Sequence, residues 1–331
     1  MQKINLGIIG CGIIAREAHA PALKRLTDRF TVTALCNRSR PKAEVLAKEL
    51  GLGKQSIWQD WERMLQEASV EAVLICLPIE LNYPVSRAAA AAGKHVLCEK
   101  PIGQSKEEAR AAVKIPAEYG VAYMVAEDIH YMPAFAKAAE LVKAGALGKL
   151  CAINWNVFNF MDLSNKYAKT TWRTKHVFPG GYVLDGGVHF VHVLQMTAGK
   201  VASVKGETLS MEPALGKVDT AFALLRHESG VLSSLNMGWR TRDQSSGRLK
   251  IFGSQGSLLV SDSEITAISA DGKTRKVPFE NEDDYYLQLI DFHRALTSGQ
   301  PPGVSAESCA HDVEVILAIL ESAEKDETVR V

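Results

Sequence analysis

From Ile4 to Gly10 the chain runs through a compact apolar segment and breaks at once into Gly10-Cys11-Gly12-Ile13-Ile14-Ala15. A short apolar run bounded by glycine reads as a buried parallel strand, and the pattern after it reads as a helix. Strand, glycine turn and helix in that order form a cradle for phosphates: Gly10 permits the tight turn, Gly12 removes a side chain from the ligand's path, and Ala15 lets the helix pack close. The alternation then continues. Strands at Phe30–Cys36, Ala72–Leu77, within Lys94–Pro101 and at Val121–Val125 alternate with helices at Lys42–Glu49, Asp60–Ala68, Tyr83–Ala92 and Lys106–Tyr119. Alternating units of this kind predict a doubly wound parallel sheet, and hence an α/β fold in the first 125 residues.

Two strand ends carry chemistry. The second strand ends in Asn37-Arg38-Ser39-Arg40, where a dinucleotide fold tells its two nicotinamide cofactors apart. No acidic residue is present to bond a ribose 2′-hydroxyl, and arginines with small polar neighbours suit a 2′-phosphate. NADP(H) is therefore favoured and NAD(H) stays open, with ordinary surface arginines as the alternative. The segment Lys94-His95-Val96-Leu97-Cys98-Glu99-Lys100-Pro101 delivers Glu99 and Lys100 to the carboxyl rim of the sheet, where ligands of such folds bind.

After about Val125 the pattern changes to longer alternating strands with hairpin turns at His227–Gly230 and Ala270–Lys273, which predicts an antiparallel sheet, followed by two amphipathic helices. Two domains are expected, 1–125 and 126–331. Inside the second, Pro179-Gly180-Gly181 leads into a helical pattern that puts Asp185, His189 and His192 on one stripe. The glycines are read as a flexible approach. A carboxylate beside an imidazole suits acid-base work near neutral pH, with a structural Asp-His contact as the alternative. No further ligand accompanies these residues, so no metal is expected. Tyr131, Trp172, Arg173 and His192 are the candidates for holding a substrate.

Charge is balanced, with 38 basic and 38 acidic residues, which points away from nucleic acid and anionic membranes. The six cysteines are scattered and read as buried reduced thiols. No apolar run approaches the roughly 18 residues of a membrane span, and a cytoplasmic location is expected.

The sequence resembles the Gfo/Idh/MocA family, the group of glucose-fructose oxidoreductase and inositol dehydrogenase. The resemblance runs over essentially the whole chain: Gly10-x-Gly12-x-x-Ala15, Gly93 to Pro101 with its Glu-Lys-Pro motif, Trp172-Arg173, and Gly180-Gly181 followed by Asp185-x-x-x-His189. It implies a Rossmann domain and a carboxyl-terminal α+β domain with a large open sheet, whose exposed face joins subunits into a homodimer or homotetramer. It also implies reversible oxidation of a secondary hydroxyl on a sugar, cyclitol or related polyol. Lys100, Asp185 and His189 then occupy the catalytic positions, and Gly10, Gly12, Ile13, Ile14, Asn37, Arg38, Arg40, Leu77, Pro78, Asn82, Glu99 and Lys100 line the cofactor. Asn82, His130 and Tyr182 depart from the family pattern. Two other activities fit the same resemblance: a non-catalytic nucleotide-binding regulator, and an NAD-dependent glycosidase.

Overall fold

A computed structural model describes residues 2–174, 178–242 and 247–331. The chain separates into two compact units, Met1–Asp128 with Asp283–Ala310, and Ile129–Glu282 with His311–Val331. The helix Asp284–Ser298 packs with the first unit: Phe292 stacks on Phe30 at 6.4 Å and His293 donates to the Gln2 carbonyl at 2.8 Å.

The first unit is built on six parallel strands, β1 (Ile4–Ile9), β2 (Phe30–Cys36), β3 (Ile57–Trp58), β4 (Ala72–Ile75), β5 (His95–Glu99) and β6 (Tyr123–Ala126), in the spatial order β3-β2-β1-β4-β5-β6. The order reverses between β1 and β4, the switch point at which doubly wound sheets open a crevice. Leu6, Ile8, Leu35, Leu74 and Leu97 are fully buried, as strands covered on both faces require. The helix expected at Lys106–Tyr119 is two, Lys106–Val113 and Ile115–Tyr119. Pro116 has no N–H to give to the carbonyl four residues back, so the first helix stops before it. The helix expected from Tyr83 starts earlier, at Ile79, and runs through Pro84 to Ala91.

The second unit holds a nine-stranded sheet made of β7 (Leu150–Phe158), β8 (Val201–Leu209), β9 (Thr220–His227), β10 (Leu232–Gly238), β11 (Leu249–Gly253), β12 (Gly256–Val260), β13 (Ile265–Ser269), β14 (Thr274–Lys276) and β15 (Val329–Arg330). Their order is β14-β13-β12-β11-β7-β10-β9-β8-β15, and every neighbouring pair is antiparallel except β7 with β10. Inward residues such as Ala221, Ala223, Leu225 and Leu235 are buried, while Phe222, Leu224 and Leu232 stand exposed on the other side. The helix Gly181–Ala198 is drawn close by small residues: a Cβ on Gly187 would come within 2.8 Å of Ile316 Cδ1, and one on Gly186 within 2.6 Å of the Trp239 ring. No helix among the described residues is long and apolar enough to cross a membrane. All six cysteines are free; five are buried, but Cys151 is exposed.

Candidate active site

The turn after β1 sits at the switch point, and its two glycines are constrained in different ways. Gly10 has φ +99°, and a Cβ there would collide with the Cys76 carbonyl at the end of β4. Only glycine fits such a position. Around Gly12 nothing lies within 4 Å of where a Cβ would be, so the backbone is open to close approach by a ligand. Ile13 and Ile14 are half-buried beside it, as are Leu77 and Pro78 after β4. The cradle therefore has the shape a dinucleotide pyrophosphate requires.

Asn37 braces this turn from the end of β2. Its Oδ1 accepts from Cys11 N at 3.0 Å and its Nδ2 donates to the Ser39 carbonyl at 2.9 Å, so both ends of the amide are engaged by protein. Arg40 opens the helix Arg40–Leu50 and pairs with Glu44 at 3.1 Å on a solvated face. Arg38 is exposed, and among the described residues no hydrogen bond or ion pair engages its guanidinium.

The end of β5 is held from two sides. Asn82, fully buried, donates to the carbonyls of Glu99 at 2.8 Å and Pro101 at 2.9 Å, which fixes the backbone on either side of Lys100. Glu99 is also buried, and its Oε1 lies 2.7 Å from Nε2 of the fully buried His19. Sequence reasoning did not single out His19. The signal was a carboxylate closing an apolar strand, because a buried charge demands a partner. Burial pushes the thiols of Cys11, Cys36 and Cys98 up to about 12, so they stay protonated and inert around the site.

In the second unit, Asp185 is buried on the helix Gly181–Ala198 and its Oδ2 accepts from Arg173 Nε at 2.7 Å. Arg173 is itself stacked 3.9 Å from the Trp172 ring centre and donates to Thr170 Oγ1 at 3.2 Å. Trp172 and Arg173, proposed from sequence to touch substrate, thus form a support for Asp185. Gly180 has φ +76°, and a Cβ there would come within 2.7 Å of Leu320 Cδ1, as one on Gly186 would come within 2.6 Å of the Trp239 ring. His189 follows Asp185 by one turn and is half-buried. The Tyr182 hydroxyl is buried with no hydrogen-bond partner among the described residues, and burial raises it to about 12. His192 turns both ring nitrogens onto protein, Nδ1 to Asp312 and Nε2 to His130, whose ring also packs 5.1 Å from that of Tyr131. Asp312 lies 120 residues along the chain from His192, and no sequence pattern joins them.

Residues 4–127 match an oxidoreductase family with an NAD-binding Rossmann fold, and residues 135–259 match the GFO/IDH/MocA C-terminal domain. The crystal structure of an oxidoreductase from Thermotoga maritima superposes with a TM-score of 0.92 at 33% identity, covering 99% of this chain and 98% of that one. An uncharacterized protein of Saccharomyces cerevisiae is 28% identical over 311 residues, 90% of this chain and 88% of its own. A D-xylose 1-dehydrogenase (NADP(+)) of Haloferax volcanii is 29% identical over 327 residues, 96% of this chain and 97% of its own.

Proposed function

The chain belongs to the Gfo/Idh/MocA oxidoreductase family, and from that premise we propose that it moves a hydride between NADP(H) and a secondary hydroxyl or keto group of a sugar, cyclitol or related polyol. The observation that carries the reading is the turn at the switch point, where Gly12 leaves open ground while Gly10 is pressed against the neighbouring strand end. The preference for NADP(H) rests on the unengaged Arg38, with Ser39 beside it and no acidic residue at this strand end. The name of the Haloferax volcanii relative agrees.

When bound, the nicotinamide supplies the hydride acceptor or donor. His189 takes the proton of the hydroxyl being oxidised, and returns it in the reverse direction. Lys100 donates a hydrogen bond to the same oxygen, and its positive charge favours the alkoxide as it develops. Asp185, held by Arg173, supplies the negative charge that lets His189 carry an added proton. Asn82 and the His19–Glu99 pair hold the backbone that presents Lys100. The apolar outer face of the nine-stranded sheet, with Phe222, Leu224 and Leu232, takes a second copy of the chain.

The test is to identify the nucleotide retained on purified protein, then to follow nicotinamide absorbance with a panel of sugars and cyclitols and both oxidised cofactors. Reduction that is faster with NADP(+) is the expected result. Product without net reduction would indicate a glycosidase, and binding without any turnover a regulator; either would overturn the proposal.

A further inference from the structure

Tyr182 heads the stripe of the helix Gly181–Ala198 that carries Asp185 and His189, three residues before the first and seven before the second. The mechanism above leaves it without a task. Gly186 and His189 are half-buried while Asp185 and Tyr182 are buried, so the stripe closes toward Tyr182. Tyr182 is 4% exposed, and its ring packs 6.1 Å from that of Trp239, which stacks in turn 6.4 Å from Phe190. A ring wedged in this way presents its hydroxyl in one place. That hydroxyl has no hydrogen-bond partner among the described residues. Buried hydroxyls are ordinarily paired, because an unpaired one forfeits the bonds it makes to water. Phenylalanine would fill the same space with no oxygen left over, so the fold by itself gives no reason for tyrosine here. Burial raises the phenol to about 12, with Arg173 and Asp185 as its charged neighbours. It therefore keeps its proton at neutral pH and can both donate and accept.

We propose that Tyr182 is a specificity-determining residue, whose hydroxyl hydrogen-bonds a second hydroxyl of the substrate on the side of the oxidised carbon nearer Asp185. This rests on the dehydrogenase reading above and adds to it the place where the polyol is told from its analogues. An alcohol donates and accepts at once, as the phenol does, so the two satisfy each other without a charge on either side. An analogue lacking that oxygen leaves the phenol as unpaired as before, and the discrimination against it is that of one neutral hydrogen bond. Because Trp239 holds the ring in place, no side-chain freedom is lost when the bond forms.

Tyr182→Phe removes the oxygen and keeps the ring against Trp239. In kinetics with D-xylose, D-glucose and myo-inositol against their monodeoxy analogues, the wild-type protein should prefer the parent over one deoxy position about tenfold, chiefly through KM, and Tyr182→Phe should bring that one ratio close to unity while the others stay as they were. Without substrate, Tyr182→Phe should melt at or above the wild-type temperature, because no bond within the protein is lost. The rise in melting temperature given by the parent polyol should be smaller in the variant. Parent-to-deoxy ratios that are the same in both proteins overturn the proposal. A substrate-free variant that melts well below the wild type overturns it too, since the hydroxyl would then serve the fold. Absence of turnover with every probe overturns the dehydrogenase reading, and the melting temperatures, which need no chemistry, then judge Tyr182 separately: no rise with any parent polyol, or an equal rise in the two proteins, removes the contact.

Discussion

Gly10 and Gly12 lead into a helix in the first unit, and Gly186 and Gly187 lie within a helix in the second. On paper both pairs are small residues beside functional groups. In space the first pair includes a position with nothing within 4 Å of a Cβ, whereas the second pair is filled by Trp239, Ile316 and Met237. One glycine leaves room for a ligand, and the others leave room for the protein's own core. The lesson is that glycine next to a candidate site has two opposite meanings, and only the occupancy of the space beyond it separates them.

The largest effect bears on the premise that both units serve one reaction. Lys100→Ala and His189→Ala, one change in each unit, should each lower kcat roughly a hundred- to ten-thousand-fold while nucleotide affinity stays within a few-fold. Steady-state kinetics with nucleotide titration checks this. Unchanged turnover in either variant would remove that residue from the mechanism.

Next come the glycines themselves. Gly186→Ala drives a methyl into an indole ring that is 7% exposed and packed against Tyr182 and Phe190, so it cannot step aside cheaply. Overpacking of this kind costs about 1–3 kcal/mol, partly offset by the better helix propensity of alanine. A lower melting temperature with nucleotide affinity kept is expected. Gly12→Ala should do the reverse, leaving stability unchanged while weakening nucleotide binding about tenfold or more, since its methyl enters only the ligand's space. Should Gly12→Ala unfold the protein, or Gly186→Ala abolish nucleotide binding, the contrast between the two stretches would collapse.

The same contrast explains what could be read from sequence. Five of the six strands of the first sheet were legible because each is a local apolar run ending at a glycine, a proline or a polar turn, whereas β3, two half-buried residues long, leaves no such run; the cradle was legible because Gly10 answers to backbone geometry within a few residues. Asp185 and His189 were legible as a spacing of four on one helix. The partners were not: Arg173 meets Asp185 across 12 residues, Glu99 meets His19 across 80, and His192 meets Asp312 across 120. The amide of Asn37, which ties the turn to the end of β2, was not legible either. Local pattern reports what the backbone needs. Side-chain networks depend on which distant segments the fold brings together.

A smaller effect is expected at the adenosine end. Arg38→Ala should lower kcat/KM for NADP(H) by roughly tenfold to a hundredfold and change NAD(H) little, because a guanidinium held for a phosphate does nothing for a hydroxyl. Arg40→Ala, which breaks only an exposed pair with Glu44, should leave the preference where it was. Equal losses from the two changes would mean that the end of β2 recognises the cofactor in some other way.

The smallest effect compares two buried histidines within the second unit. His192 leans on the Asp312 carboxylate, whereas His227 is held between neutral groups, the Gly199 carbonyl at 2.6 Å from Nδ1 and Ser233 Oγ at 2.7 Å from Nε2. The carbonyl fixes Nδ1–H, so Ser233 donates to Nε2 and the neutral ring is fully satisfied. Burial lowers the pKa of His227, and it lowers those of His95 and His311 in the same direction. The unfolded chain therefore takes up protons that the native state refuses, and stability fully present above the ordinary imidazole value of 6.5 is lost as pH falls from there toward the depressed native values. Thermal denaturation followed from about pH 7.5 down to about pH 5 should show this loss, with His227 contributing to it. His227→Gln keeps a donor for the carbonyl and an acceptor for the serine but does not titrate, so it should flatten the acid limb. An acid limb of unchanged slope in that variant would mean that the neutral pocket around His227 tolerates the proton after all.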